Sequence, residues 1–126
     1  MKTTNGELFN NIKPALGKLI QVQLPVKTSF EIAKFTALVQ KNVDTVESVR
    51  NSLIAKYGET DKIRQVPVIT PKSPRWDEFV PEYNELMDIE IELPDTVIVI
   101  PQNVNGREVE IEPSVLIALE KFVVMK

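Results

Sequence analysis

Eight acids fall within nineteen residues, with no Lys or Arg among them: Asp77, Glu78, Glu82, Glu85, Asp88, Glu90, Glu92 and Asp95. Three chemistries are open to such a tract. It could bind a hard divalent cation, though a calcium loop has closely spaced oxygens and a glycine turn, and this tract has neither. It could imitate the charge of a nucleic acid toward a protein partner. It could also be the solvated side of an amphipathic helix followed by an amphipathic strand. The alternation Asp88-Ile89-Glu90-Ile91-Glu92 favours the last reading. Trp76, Phe79 and Tyr83 lie within the same segment at helical spacing. They would serve either as a binding platform or as the core-facing stripe of the helix. Together Trp76, Phe79, Glu82, Tyr83, Glu85, Asp88, Glu90 and Glu92 form the candidate interaction surface.

Other chemistry is sharply limited. The chain has no cysteine and no histidine, which excludes disulfides, thiolate metal sites and thiol nucleophiles. It also excludes imidazole acid–base catalysis, the commonest kind near neutral pH, and leaves zinc without its usual ligands. Carboxylate pairs of the glycosidase type need a fixed separation across a cleft, and any chain with 18 acids offers such pairs on paper. Asn5-Gly6, Gly17, Gly58 and Gly106 form no phosphate-cradling loop. No catalytic residue, cofactor site or metal site is therefore assigned, and the expectation is a protein that is not an enzyme.

The elements that must carry these residues follow from periodicity. Leu8, Phe9, Ile12, Leu16, Leu19 and Ile20 recur at helical spacing, with Pro14 suggesting a helix start near Lys13. Leu24-Pro25 closes that segment. Thr28-Ser29-Phe30-Glu31 fits a capping box, with Val26 fixing the entry angle. Phe35, Val39, Val43, Val46, Val49 or Arg50, Leu53 and Tyr57 then follow one face, and Gly58 fits the left-handed residue past a helix end. From Ser29 to Tyr57 that helix is roughly 43 Å long. A core for 126 residues is only about 28 Å across, so part of the helix is expected to project or to meet another chain.

The rest of the chain is shorter pieces. Ile63, Val66, Val68 and Ile69 suggest an edge strand, given Pro67 and Pro71. Ser73-Pro74 reads as the start of a helix, with Pro81 a defect that would kink it or delay it to Asp77. Asp88–Leu93, Val97–Ile100 and Arg107–Glu112 read as strands, with Asn105-Gly106 as a tight turn. Pro113 opens a last helix burying Val115, Leu116, Leu119 and Phe122. The fold class is α+β: an N-terminal helical hairpin with one long helix (1–58), then a part with a small antiparallel sheet and a short C-terminal helix (59–126), in a single domain.

Net charge is −3, unevenly spread. Residues 1–64 carry ten basic side chains and six acids, and residues 65–126 carry five and twelve. Such polarity suits head-to-tail self-association or docking on a charged partner. Lys18, Lys27, Lys34 and Lys41 make the first half basic. They read as the solvated side of the helix rather than as a grip for phosphate, so nucleic acid is not expected as a partner. No apolar run spans a bilayer and the start has no signal-peptide core, so a cytosolic protein is expected.

NGEL at 5–8, LPVKTSFEIAKF at 24–35 and SLIAKYGETD at 52–61 resemble a family of small uncharacterised bacteriophage and prophage proteins. The acidic FVPEYNELMDIEIEL at 79–93 and IEPSVLIALEKF at 111–122 match later segments of that family. The Pro-rich 65–74 stretch departs from it. The resemblance implies a viral or prophage origin, action in the host bacterial cytoplasm or on the virion, and a small accessory or structural role. It supplies no catalytic residues. The partner expected is a second copy or another phage or host protein. The alternative is an inhibitor of a host system, acting by protein binding or by sequestering a small anionic molecule with Lys and Arg of the first half. A carboxylate-only or metal-assisted enzyme is the third possibility.

Overall fold

A computed structural model describes residues 1–126. Its spine is the long helix read from the sequence, here α3, Val26–Tyr57, 32 residues and roughly 48 Å. Thr28, Ile32, Phe35, Val39, Val43, Val46 and Tyr57 are buried along one stripe of it. The helix starts earlier than the capping box predicts. Pro25 precedes it with φ −55°, a value already set for entering a helix, and its carbonyl accepts from Ser29 N–H at 2.9 Å. Thr28 therefore lies in the first turn, faces inward and caps nothing, while Val26 is 87% exposed and pins no entry angle.

Ahead of α3 come β1 (Lys2–Thr4), α1 (Asn5–Glu7), a π-helical stretch (Leu8–Ile12) and α2 (Lys13–Leu19). α2 starts at Lys13 with Pro14 in its first turn, as expected, but the helical path runs into it without a break. Lys13 N–H reaches five residues back to Leu8 C=O, and the widened turn makes room for a proline ring that would clash in a regular α-turn.

After α3 the chain forms a hairpin, β2 (Glu59–Thr60) with β3 (Pro67–Val68). Asp61 holds its turn, accepting from the N–H groups of Ile63 at 2.8 Å and Arg64 at 3.2 Å. Helix α4 (Trp76–Asp88) starts after a turn through Ser73–Arg75 rather than at Ser73. Then follow β4 (Glu90–Glu92), β5 (Ile98–Ile100), β6 (Asn103–Val104), β7 (Arg107–Glu108), α5 (Pro113–Ala118) and β8 (Val123–Met125).

The class is α+β, but the strands do not form one sheet. They make four two-stranded pairs: β1–β4, β2–β3 and β6–β7 antiparallel, and β5–β8 parallel. The β6–β7 turn uses Asn105 and Gly106 at φ 53° and 78°, the conformation that favours this dipeptide. The last helix stops at Ala118, so Phe122 is buried from the turn leading into β8.

Two apolar clusters lie along α3. The larger joins α2 and the first half of α3 to β5, α5 and β8, with Phe35 and Phe122 ring centroids 4.9 Å apart. The smaller is Val46, Leu86 and Met87, flanked by Phe9, Leu53 and Tyr83. The second half of α3 does not project as its length suggests, because α4 covers it. No helix is long and apolar enough to cross a membrane.

Candidate interaction surface

The aromatic residues of the acidic segment turn inward. Phe79 is buried, and Trp76 and Tyr83 are half-buried. Their rings lean on Phe79 at centroid distances of 5.7 and 5.4 Å. Trp76, Phe79 and Tyr83 thus act first as the packing side of α4, not as an open platform.

The acids divide by what they touch. Glu78 accepts from Arg75 Nε at 2.6 Å, and this bond holds its carboxyl below the ordinary glutamate pKa. Asp77 and Glu78 lie in the first turn of α4, where the helix dipole favours negative charge. Glu82 is half-buried with Lys56 Nζ at 3.9 Å. Glu92 and Asp95 each meet the Met1 amino group at 2.9 Å, which raises the pKa of that amine. Glu85, Asp88 and Glu90 are exposed and carry no ion pair. No three carboxylates converge as a metal-ligand set. Of the eight candidate residues, the structure leaves these three acids freely presented to a partner.

The NGEL and KYGE segments have structural explanations. In NGEL, the Asn5 side-chain amide donates to Leu86 C=O at 2.9 Å and its backbone N–H to Ile89 C=O at 3.0 Å. Asn5 therefore adds a second donor to the Leu86 carbonyl, which also accepts from Ile89 N–H at 3.4 Å, and pairs the Ile89 carbonyl just past the end of α4. Gly6 packs so close that a Cβ would meet Met87 C=O at 3.2 Å. Leu8 is fully buried. In KYGE, the Tyr57 ring is approached by Lys56 and Arg75, at 4.9 and 4.7 Å from its centroid. Gly58 is not in the left-handed conformation, having φ −84°. Glycine is required there because a Cβ would collide with the carbonyls of Ile54 and Val68.

A second surface was not singled out from the sequence. On the side of α3 away from the core, Val26, Phe30, Ala33 and Ala37 are exposed, with Phe30 at 66%. Their spacing of four, three and four is itself a helical stripe. It sits opposite the core stripe, so attention to one face hides it. Lys27, Lys34 and Lys41 line its border, all exposed and unpaired.

A groove of about 540 Å³ lies between the α2–α3 connection and the β6–β7 hairpin. Arg107 is its one basic residue, beside Glu108 and Glu110. That balance repels an anionic ligand; Lys27, Lys34 and Lys41 stand on the outer side of α3 instead, and Lys18 on α2 is paired with Glu112.

Comparison with protein-family models, curated proteins and solved structures finds no match.

Proposed function

We propose that this chain is a non-enzymatic bacteriophage or prophage accessory or structural protein that works by self-association or by docking on another protein. The observation that carries the reading is the exposed apolar stripe on α3, where Val26 and Phe30 stand 87% and 66% exposed. Single exposed apolar residues are ordinary, but a row bordered by charge marks an interaction face. The motif order supports the phage origin. The NGEL and KYGE segments help hold α1, α3 and α4 together, which supports a structural role for them.

The test is light scattering on the purified chain at tens of micromolar, alongside mass spectrometry of particles from the phage or induced prophage that encodes it. A mass above the 14.3 kDa of one chain, or recovery with the particle, is the expected result. A strict monomer that is absent from particles and captures no phage or host protein would overturn the proposal.

A further inference from the structure

We infer that copies of this chain assemble head to tail, the outer face of α3 in one copy docking on the outer face of α4 in the next. The inference rests on the self-association reading above and names the two surfaces it uses.

The first surface is the α3 stripe with its lysines. Lys27, Lys34 and Lys41 recur every seventh residue, so they drift by only about 20° per step. They form one row roughly 21 Å long. The second surface is the exposed side of α4, where Asp77, Glu85 and Asp88 span roughly 16 Å. Exposed Pro81 and Ile89 lie beside these acids and give apolar surface for Phe30 and Val26 to cover. None of these six charges is paired within the chain, although the neighbouring Lys56, Glu78, Glu82 and Glu92 all are. Two helical faces of similar length and opposite sign are thus left without partners.

The fold keeps the two faces from meeting in one molecule. Helix α4 packs on the core side of α3, against Val46 and Leu53. Its own exposed side therefore points away from the outer face of α3. Docking each face on itself would set lysine against lysine or carboxylate against carboxylate. The complementary contact joins different surfaces, so each docked copy still offers one free face of each kind. Such a heterologous contact builds a ring or a filament rather than a twofold dimer.

The experiment is sedimentation of the full chain at low and high salt, with two charge-swapped variants. Lys27→Glu with Lys34→Glu reverses the basic face, and Glu85→Lys with Asp88→Lys reverses the acidic one. Lys27→Glu and both changes on α4 place charges that suit the nearby helix end, and Lys34 is exposed in mid-helix, so the fold should hold, as far-UV circular dichroism will check. Wild-type chain is expected to form species larger than a dimer at low salt and to lose them as salt screens the contact. Each variant alone should fall to the 14.3 kDa of one chain. An equimolar mixture of the two should assemble again, because acidic faces then meet basic ones in alternation. A pure dimer, a mixture that stays monomeric, or assembly untouched by both swaps would overturn the interface while leaving self-association standing. A wild-type monomer at every salt concentration would overturn the interface and self-association together.

Discussion

Gly58 shows how one missing Cβ can fix a junction. The chain leaves α3 there in extended conformation, φ −84° and ψ 175°, which any residue can adopt. What excludes a side chain is the backbone of Ile54 and Val68, pressed on the Cα from both sides. Neither carbonyl can move without loosening the end of α3 or the β2–β3 hairpin. Gly58→Ala is expected to destabilise the chain by about 1–3 kcal/mol, the usual cost of overpacking. Urea unfolding will read this, and an unchanged midpoint would mean the hairpin is free to shift. Surface carboxylates act at the same scale but more weakly. Glu78 beside Arg75 and Glu112 beside Lys18 both have pKa values lowered from 4.5, mainly by a side-chain hydrogen bond. A depressed folded pKa means stability that is present above 4.5 and is lost as pH falls through the folded value. Both pairs are well exposed, so each effect is small. A Glu78→Gln, Glu112→Gln double variant should show a shallower fall in melting temperature below pH 4.5 than wild type. Identical slopes would show that neither pair survives in solution.

Among the elements, the body of α3 is readable because it repeats one local rule, whereas its two caps are not: it starts at Val26, before the capping box, and Gly58 is extended. Phe35, Val39, Val43 and Val46 recur every three or four positions and are buried, and Leu53 and Tyr57 resume the stripe after a gap where Val49 is exposed and position 50 is Arg. The Asn105-Gly106 turn and the Pro113 helix start were readable for the same local reason. Pairings were not readable. Nothing in Val97–Ile100 says that its partner is Val123–Met125, or that they run parallel, because that contact joins segments far apart in sequence. The π-helical stretch before Pro14 was hidden because periodicity alone does not distinguish a widened turn from a break. Of the candidate site, the exposure of Glu85, Asp88 and Glu90 followed from alternation and helical phase, whereas Glu92 is drawn off by the Met1 amine. Comparing α3 with the width of a sphere led to a projecting helix. The molecule is elongated instead, with a second cluster under the far half of α3. That cluster has three buried residues against sixteen in the first. Local stability follows buried contact, so amides of α4 should exchange with deuterium faster than those of α2 and of α3 between Ile32 and Val43. Equal protection across these helices would show that both clusters open as one unit.

At the scale of the whole molecule, the division at residue 58 that the sequence suggests is one of composition and not of folding. Strand β1 pairs with β4, α1 packs on α4, α2 on α5, and α3 on both β5 and α4. The buried stripe of α3 is therefore covered from both halves of the chain, and isolated helices of this kind are marginal without that cover. The halves also carry opposite charge, which favours their meeting. A cut between Arg64 and Gln65 falls in the exposed turn of the β2–β3 hairpin, where a break does least harm to backbone bonding. Fragment 1–64 made alone should lose most of its helical signal despite containing all of α1, α2 and α3. Adding fragment 65–126 should restore it, with a stoichiometry of one to one by titration. If 1–64 alone keeps the helicity that full-length α3 would give, then α3 needs no cover. Its outer apolar stripe would then be one of two free faces, and the polarity that sends one copy onto the next would have no structural origin.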